Sequence, residues 1–318
     1  MIVRCAKLSH KNKVSAGLER FSSIEIVGYH FEDRGYVDKD YDTFIWTKEI
    51  LDPSEIEVWE RTIVEEMGKG KNVYNMARLY RVADKDELIS TAEEYGVKYF
   101  DSSDPQAFQR YRDYARLGLE GIDGKIITVM GTGRRSGKFT TSLILKRELS
   151  RYLDVGCVGT EPHSKLCNME EMVIPQVIPL CHVPSTIFGA IKKVDLKGRD
   201  VIVVSSQTGV FSDPLEVGTG RGGGVTSLSI LYGSKPDYII LASDTLDVGE
   251  IERHIKVLES LSNRRVIGVT VNGSKFKDLD NGYREALDRI SRSLDILVVD
   301  MIRGIYLEEF IEDILHML

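Results

Sequence analysis

The sequence predicts an α/β protein of two domains, each built on a mostly parallel sheet. Short apolar runs of β type alternate with helical stretches along the chain, the pattern of strands joined by crossover helices. In the C-terminal two thirds those runs are apolar throughout, as expected of strands with both faces covered. At 318 residues the chain is too long for one comfortable core, so two domains are the default.

In order, residues 24–29 and 43–46 read as strands, 54–68 as a helix opening at Pro53-Ser54, and a strand falls near Val73. A helix over 84–95 follows, with Asp84 and Glu87 spaced as a capping box, and then a strand at 97–100. These elements make a first domain, 1–104. The polar segment 105–124, with Pro105 and several Arg and Tyr residues, reads as the connection. A second domain, 125–318, holds strands at 125–130, 154–158, 200–204, 237–241, 265–271 and 295–299. Helices are expected over 138–152, 248–262, 280–294 and 305–317, with a further one from Val225.

The most informative stretch is KIITVMGTGRRSGKFTTS, 125–142. A strand ends in a glycine-rich turn, and Gly137-Lys138 opens a helix. Those are the parts of a phosphate-binding loop: glycines let N–H groups converge on an anion, the helix N-terminus adds partial positive charge, and the lysine reaches the outer phosphates. The expected cofactor-binding residues are Gly131, Gly133, Arg134, Arg135, Ser136, Gly137, Lys138, Phe139, Thr140 and Thr141. Five residues separate Gly131 from Gly137, one more than the common spacing. Phe139 follows the lysine, so Thr140 is the nearest hydroxyl for a magnesium ion. The alternative is a glycine turn that holds nothing.

Composition narrows the partners. A net charge of −7 and no basic stripe argue against nucleic acid. No apolar run approaches the roughly 20 residues of a membrane helix, and the N-terminus lacks a signal-peptide core. Four unevenly spaced cysteines suggest no disulfide framework. A cytoplasmic protein acting on a small molecule is expected, with a closed homo-oligomer as the default for a soluble enzyme.

Other candidates fall at strand ends, where ligands of such sheets bind. SSQTGVFSDP follows strand 200–204, and GTGRGGG at 218–224 precedes a helix; Arg221 and Gly222 there make either a second anion nest or a surface loop. Asn272-Gly273 is either a turn or the place where the Asn272 amide meets a purine edge. His163, Cys167, Cys181 and His182 do not match the spacing of common zinc sites. His10, His30, His254 and His316 stand in no informative pattern, and there is no G-x-S-x-G motif.

The loop resembles that of dethiobiotin synthetase and its relatives. The wider pattern resembles a family long known only as a domain of unknown function, whose characterised members are D-glutamate N-acetyltransferases. The stretches that carry it run from NKVSAGLERFSSIEIVGY and GKNVYNMARL through EEYGVKYFDSSDP, SGKFTTSL and QTGVF to GVTSLSILYGSKPDYIILASD and LSNRRVIGVTVNG. The resemblance implies a Rossmann-like N-terminal domain and a P-loop NTPase-like C-terminal domain. Gly133 stands where the family usually has an acid, Ser205-Ser206 where it has Glu-Gly, and GTEPHSK (159–165) where it has GQTG. Glu161 or Asp213 could replace the missing acids, while Lys138, Thr140, Thr141, Gln207 and Asn272 persist. The resemblance implies ATP or acetyl-CoA as cofactor, with Mg²⁺ in the ATP case. It makes Lys138, Glu161, Gln207 and Asp213 the catalytic candidates. The substrate is expected between the domains, against 159–165 and 207–224, with Thr160, His163, Arg221 and Gly222 as its contacts. Acetyl transfer to an amino acid, ATP-dependent carboxylate activation, and nucleotide binding without catalysis all remain open.

Overall fold

A computed structural model describes residues 2–32, 39–78, 85–211, 222–276 and 282–318. Asp84, Asp213 and Arg221 therefore lie outside the described residues, as does most of 218–224. The chain divides into two compact units: Met1–Ala107 with Pro162–Asn168, and Phe108–Glu161 with Met169–Leu318.

The first unit runs β1 (Cys5–Leu8), α1 (Lys13–Phe21), β2 (Glu25–Tyr29), β3 (Thr43–Trp46), α2 (Ile56–Gly68), β4 (Asn72–Asn75), α3 (Lys85–Glu94) and β5 (Tyr99–Asp101). Its five strands lie in the order β2-β1-β3-β4-β5, and every ladder is parallel. Phe44, Trp46 and Val73 pack with Trp59, Ile63 and Met67 of α2 into one apolar cluster; each such side chain contributes roughly 1.5–3 kcal/mol on burial. β1 and α1 go beyond the elements expected from sequence. CAKL is short and carries a lysine, yet Lys7 is buried, with its ammonium group near the Tyr41 ring.

The second unit opens with α4 (Pro105–Gln109) at the unit boundary and α5 (Tyr111–Leu117). It continues with β6 (Lys125–Gly131), α6 (Lys138–Leu149), β7 (Val155–Gly159), β8 (Glu171–Met172), α7 (Val183–Asp195) and β9 (Val201–Ser205). Last come α8 (Gly223–Ser234), β10 (Tyr238–Ser243), α9 (Val248–Ser262), β11 (Val266–Val271), α10 (Tyr283–Leu294), β12 (Val298–Val299) and α11 (Leu307–Met317). The seven strands lie in the order β12-β11-β10-β6-β9-β7-β8, again with every ladder parallel. β7 and β9 are buried along their whole length, which explains their unbroken apolar character. Both expected sheets are thus present, and the fold is a two-domain α/β fold with parallel strands.

The stretch read as a connection is mostly helical. α5 lies so close to α7 that a Cβ on Gly189 would stand 1.7 Å from the Tyr111 carbonyl oxygen. Tyr111 is buried and its hydroxyl donates to Glu171 at 2.6 Å. The arginines that made the segment look polar, Arg110, Arg112 and Arg116, lie on the exposed side. α7 likewise escaped the sequence reading, because VPSTIFGAIKKVD mixes β-branched residues with a glycine, which weakens its helix signal.

Candidate functional site

The strand β6 is the centre of the second sheet, and its register fixes what stands around the glycine loop. Val129 pairs with Ser205 of β9 and Gly131 with Ala242 of β10. The loop leaving Gly131 is therefore flanked by the carboxyl ends of both neighbours, the edge at which open parallel sheets bind ligands.

Within the loop, backbone geometry explains the residue types. Arg135 has φ 62° and Gly137 φ 103°, left-handed values that reverse the chain into α6. Gly131 leaves room for the lysine: a Cβ there would stand 2.6 Å from Ser136 Oγ and 2.7 Å from Lys138 Nζ. Lys138 is buried and its ammonium group donates to the Gly133 carbonyl at 2.7 Å and to Ser136 Oγ at 3.2 Å. The lysine thus lies across the loop rather than in solvent. α6 starts from Gly137 with no side-chain cap, and Phe139 and Thr140 of its first turn are half-buried. Thr141 is turned into the core, where its hydroxyl meets that of Thr270 at 3.0 Å.

Among the expected residues outside the loop, Asn272 is bonded to it, while Gln207 and Thr160 are bonded to each other beside the end of β9. The Asn272 amide donates to the Arg135 carbonyl at 2.9 Å, and its Oδ1 accepts from the Ser274 hydroxyl at 2.6 Å. Asn272 thereby braces the turn from the end of β11. Gln207 bonds the Thr160 carbonyl through its amide nitrogen and accepts from the Gln176 amide. Thr160 in turn donates to the Ser205 carbonyl at 3.0 Å. Arg134 and Arg135 are exposed, and Gly222 caps α8 with a left-handed backbone.

His163 belongs to the first unit. Although it follows β7, the Pro162–Asn168 segment is part of the first unit. The Pro162 carbonyl accepts from the Tyr74 hydroxyl at 2.8 Å, and His163 is buried close to Gly17 of α1. That burial pushes its imidazole down to about 4. Thr160 and Glu161 stay with the second unit. Cys167 is buried with its thiol pushed up to about 12 by desolvation, and Cys181 is exposed. Among the described residues no three His, Cys, Asp or Glu side chains gather as a metal would need.

Two residues beyond the expected set hold the loop. Asp244, just past β10, accepts from the Thr132 hydroxyl at 2.7 Å and from Lys275. Burial works to raise its carboxyl, but the hydrogen bonds from Lys275 and Thr132 outweigh it and hold the group below the usual carboxylate value. His254 of α9 lies behind the same threonine. The acid at the end of YIILASD was a readable signal; nothing local marked the histidine.

A phosphate fits this donor set: one buried ammonium group and a glycine-led turn at a helix start without a side-chain cap. The fit for magnesium is narrower. Thr140 can offer a hydroxyl, but β9 ends in serines, and both oxygens of Asp244 already have protein partners.

Comparison with known proteins agrees with this architecture. Residues 113–308 match the family model described as a domain of unknown function, DUF1611_C, P-loop domain. Residues 14–105 match its partner, the DUF1611_N Rossmann-like domain. The chain belongs to the DUF1611 family. The crystal structure of a DUF1611 family protein from Anabaena variabilis shares the fold, with a TM-score of 0.73 at 15% identity, covering 98% of this chain and 99% of that one. More remote is a nucleotide-binding protein in complex with ADP from Archaeoglobus fulgidus, with a TM-score of 0.43 at 16% identity, covering 59% and 84%. A LAO/AO transport system kinase gives 0.35 at 13% identity, covering 84% and 74%. No curated protein matches. Among the described residues no helix is long and apolar enough to cross a membrane.

Proposed function

We propose that this DUF1611 chain is an enzyme of small-molecule metabolism that holds the pyrophosphate of an adenine nucleotide in the loop 131–138. The observation that carries this reading is the buried Lys138, folded over a turn whose two left-handed residues and uncapped helix start are what a phosphate loop requires. The backbone amides would take the phosphate oxygens, and Lys138 would exchange the Gly133 carbonyl for the outer phosphate.

The chemistry that best suits the remaining residues is acyl transfer from acetyl-CoA to an amino group, as in the D-glutamate N-acetyltransferases this chain resembles. The serines at 205 and 206 favour it, because acyl transfer needs no metal-holding carboxylate. In that step the amine nitrogen forms a bond to the acetyl carbon, the C–S bond breaks, and the leaving thiolate takes up a proton. Glu161 or Asp213 would relieve the amine of its proton. Thr140, in the first turn after the lysine, favours a second reading, ATP-dependent activation of a carboxylate, in which Mg²⁺ would neutralise phosphate charge beside its hydroxyl.

Thermal unfolding with ATP, ADP and acetyl-CoA, each with and without Mg²⁺, separates the two, since stabilisation follows ligand concentration relative to Kd. A metal-independent shift with acetyl-CoA supports acyl transfer. A shift that needs Mg²⁺ with ATP supports activation. No shift with any of them removes the nucleotide from the reading.

A further inference from the structure

Thr132 is the residue of the phosphate loop whose polar groups are all fixed from outside it. Its N–H donates to the Ala242 carbonyl at 3.0 Å, and its hydroxyl donates to Asp244 at 2.7 Å. Its carbonyl oxygen lies 3.1 Å from Nε2 of His254. His254 is 1% exposed, and its Nδ1 lies 2.8 Å from the Glu250 carbonyl one turn earlier in α9; both ring nitrogens thus face acceptors, and the ring donates to both carbonyls only with a proton on each nitrogen. The Thr132 carbonyl is also roofed by the segment after β9. A Cβ on Gly209 would stand 2.3 Å from that oxygen and 2.9 Å from Gly133 Cα. Two residues on, the Phe211 ring meets the His254 ring edge-on at 4.7 Å, and Arg253 stacks on Phe211 at 4.1 Å.

A loop that binds an anion must present N–H groups to it and send its carbonyls elsewhere, and a buried carbonyl without a donor is costly. We infer that His254 is a positioning residue of the phosphate loop: donating from Nε2, it draws the Thr132 carbonyl into the protein and leaves the following amides facing the phosphates. Phe211 holds the ring from the other side, so the 207–211 segment and α9 grip the loop together. This inference rests on the nucleotide reading above and adds to it the group that shapes the anion cradle. Lys138 supplies charge to that cradle; His254 supplies its direction.

The test is calorimetric titration of ADP into the full chain and into H254L, H254Q and F211L, with circular dichroism and melting of each. The expected result is ADP affinity at least tenfold weaker in H254L, recovered to within about threefold by H254Q, whose amide can donate to the same carbonyl, and weakened severalfold in F211L. The ³¹P resonances of bound ADP should move in H254L and return toward the wild-type position in H254Q. A merely structural role would lower the melting temperature of both His254 variants and leave the ADP affinity of the folded fraction alike. Folded H254L, or F211L if H254L does not fold, that binds ADP within twofold of wild type overturns the inference while leaving the nucleotide reading intact. A wild type that binds acetyl-CoA and not ADP moves the same variant series, with the same thresholds, to acetyl-CoA; one that binds neither sinks both.

Discussion

Both units begin their sheets with a strand, a turn and a helix, yet the two helices are closed in opposite ways. After β1, Asn12 accepts from the amides of Val14 and Ser15 at 2.9 and 3.2 Å, and the Ser15 hydroxyl accepts from the Asn12 amide at 2.8 Å. The protein's own side chains fill that helix start, as a capping box does. After β6 the cap is Gly137, which has no side chain to offer, and the first helical residue is a buried lysine. The order strand, turn, helix is common to both; the capping residue decides which one is open to an anion. A capped start serves stability, and an uncapped start with a lysine is the one to which the proposed function assigns a ligand.

The largest expected effect lies on the uncapped side. Lys138→Ala should abolish the thermal stabilisation given by ADP or ATP, read by melting at saturating ligand. A shift equal to the wild type would take the lysine out of the site. Next is Gly209→Ala, which places a methyl group 2.3 Å from the Thr132 carbonyl. Overpacking of this kind costs about 1–3 kcal/mol, and here it also displaces the loop, so chemical denaturation and nucleotide titration should both record the loss. An alanine that leaves both unchanged would mean the segment yields freely.

The capped unit should respond to acid instead. Burial depresses His163 from 6.5 to about 4 in the folded state, so between those values the unfolded chain binds a proton that the folded chain refuses. Stability is therefore full above about pH 6.5 and falls as pH drops toward 4, by about 3 kcal/mol at most. His163→Phe should flatten that limb of a stability–pH curve, and an equally steep limb in the variant would assign the acid loss to other groups. Smallest is Asn12→Ala, which removes the cap of α1 and should cost about 0.5–2 kcal/mol in urea unfolding. It should leave ADP affinity untouched; weakened ADP binding would erase the distinction between the two helix starts.

What the sequence disclosed follows from how local each signal is. The phosphate loop was legible because strand, glycines, lysine and helix are adjacent in the chain, and the buried strands β6, β7, β9 and β10 were legible as apolar runs. Lengths were less so: β12 was expected over 295–299 and spans Val298–Val299. α5 hid behind exposed arginines on one face, although Tyr111 and the close approach of Gly189 make it part of the second unit's packing. Among the supports of the loop, Asn272 was expected and the acid at Asp244 was readable at a strand end, but His254 and Gly209 were not legible. His254 and Gly209 acquire their roles only when α9 and the end of β9 meet at Thr132, 122 positions away from the histidine in sequence. The placement of His163 with α1 likewise depends on the segment Pro162–Asn168, which follows β7 in the chain and is part of the first unit.

Amide hydrogen exchange resolved by residue, with and without ADP, tests the central claim most directly. The account predicts new protection of the amides from Gly133 to Lys138, with those of Val14 and Ser15 unchanged. Amides at 133–138 that exchange as fast with ADP as without it would contradict the phosphate cradle.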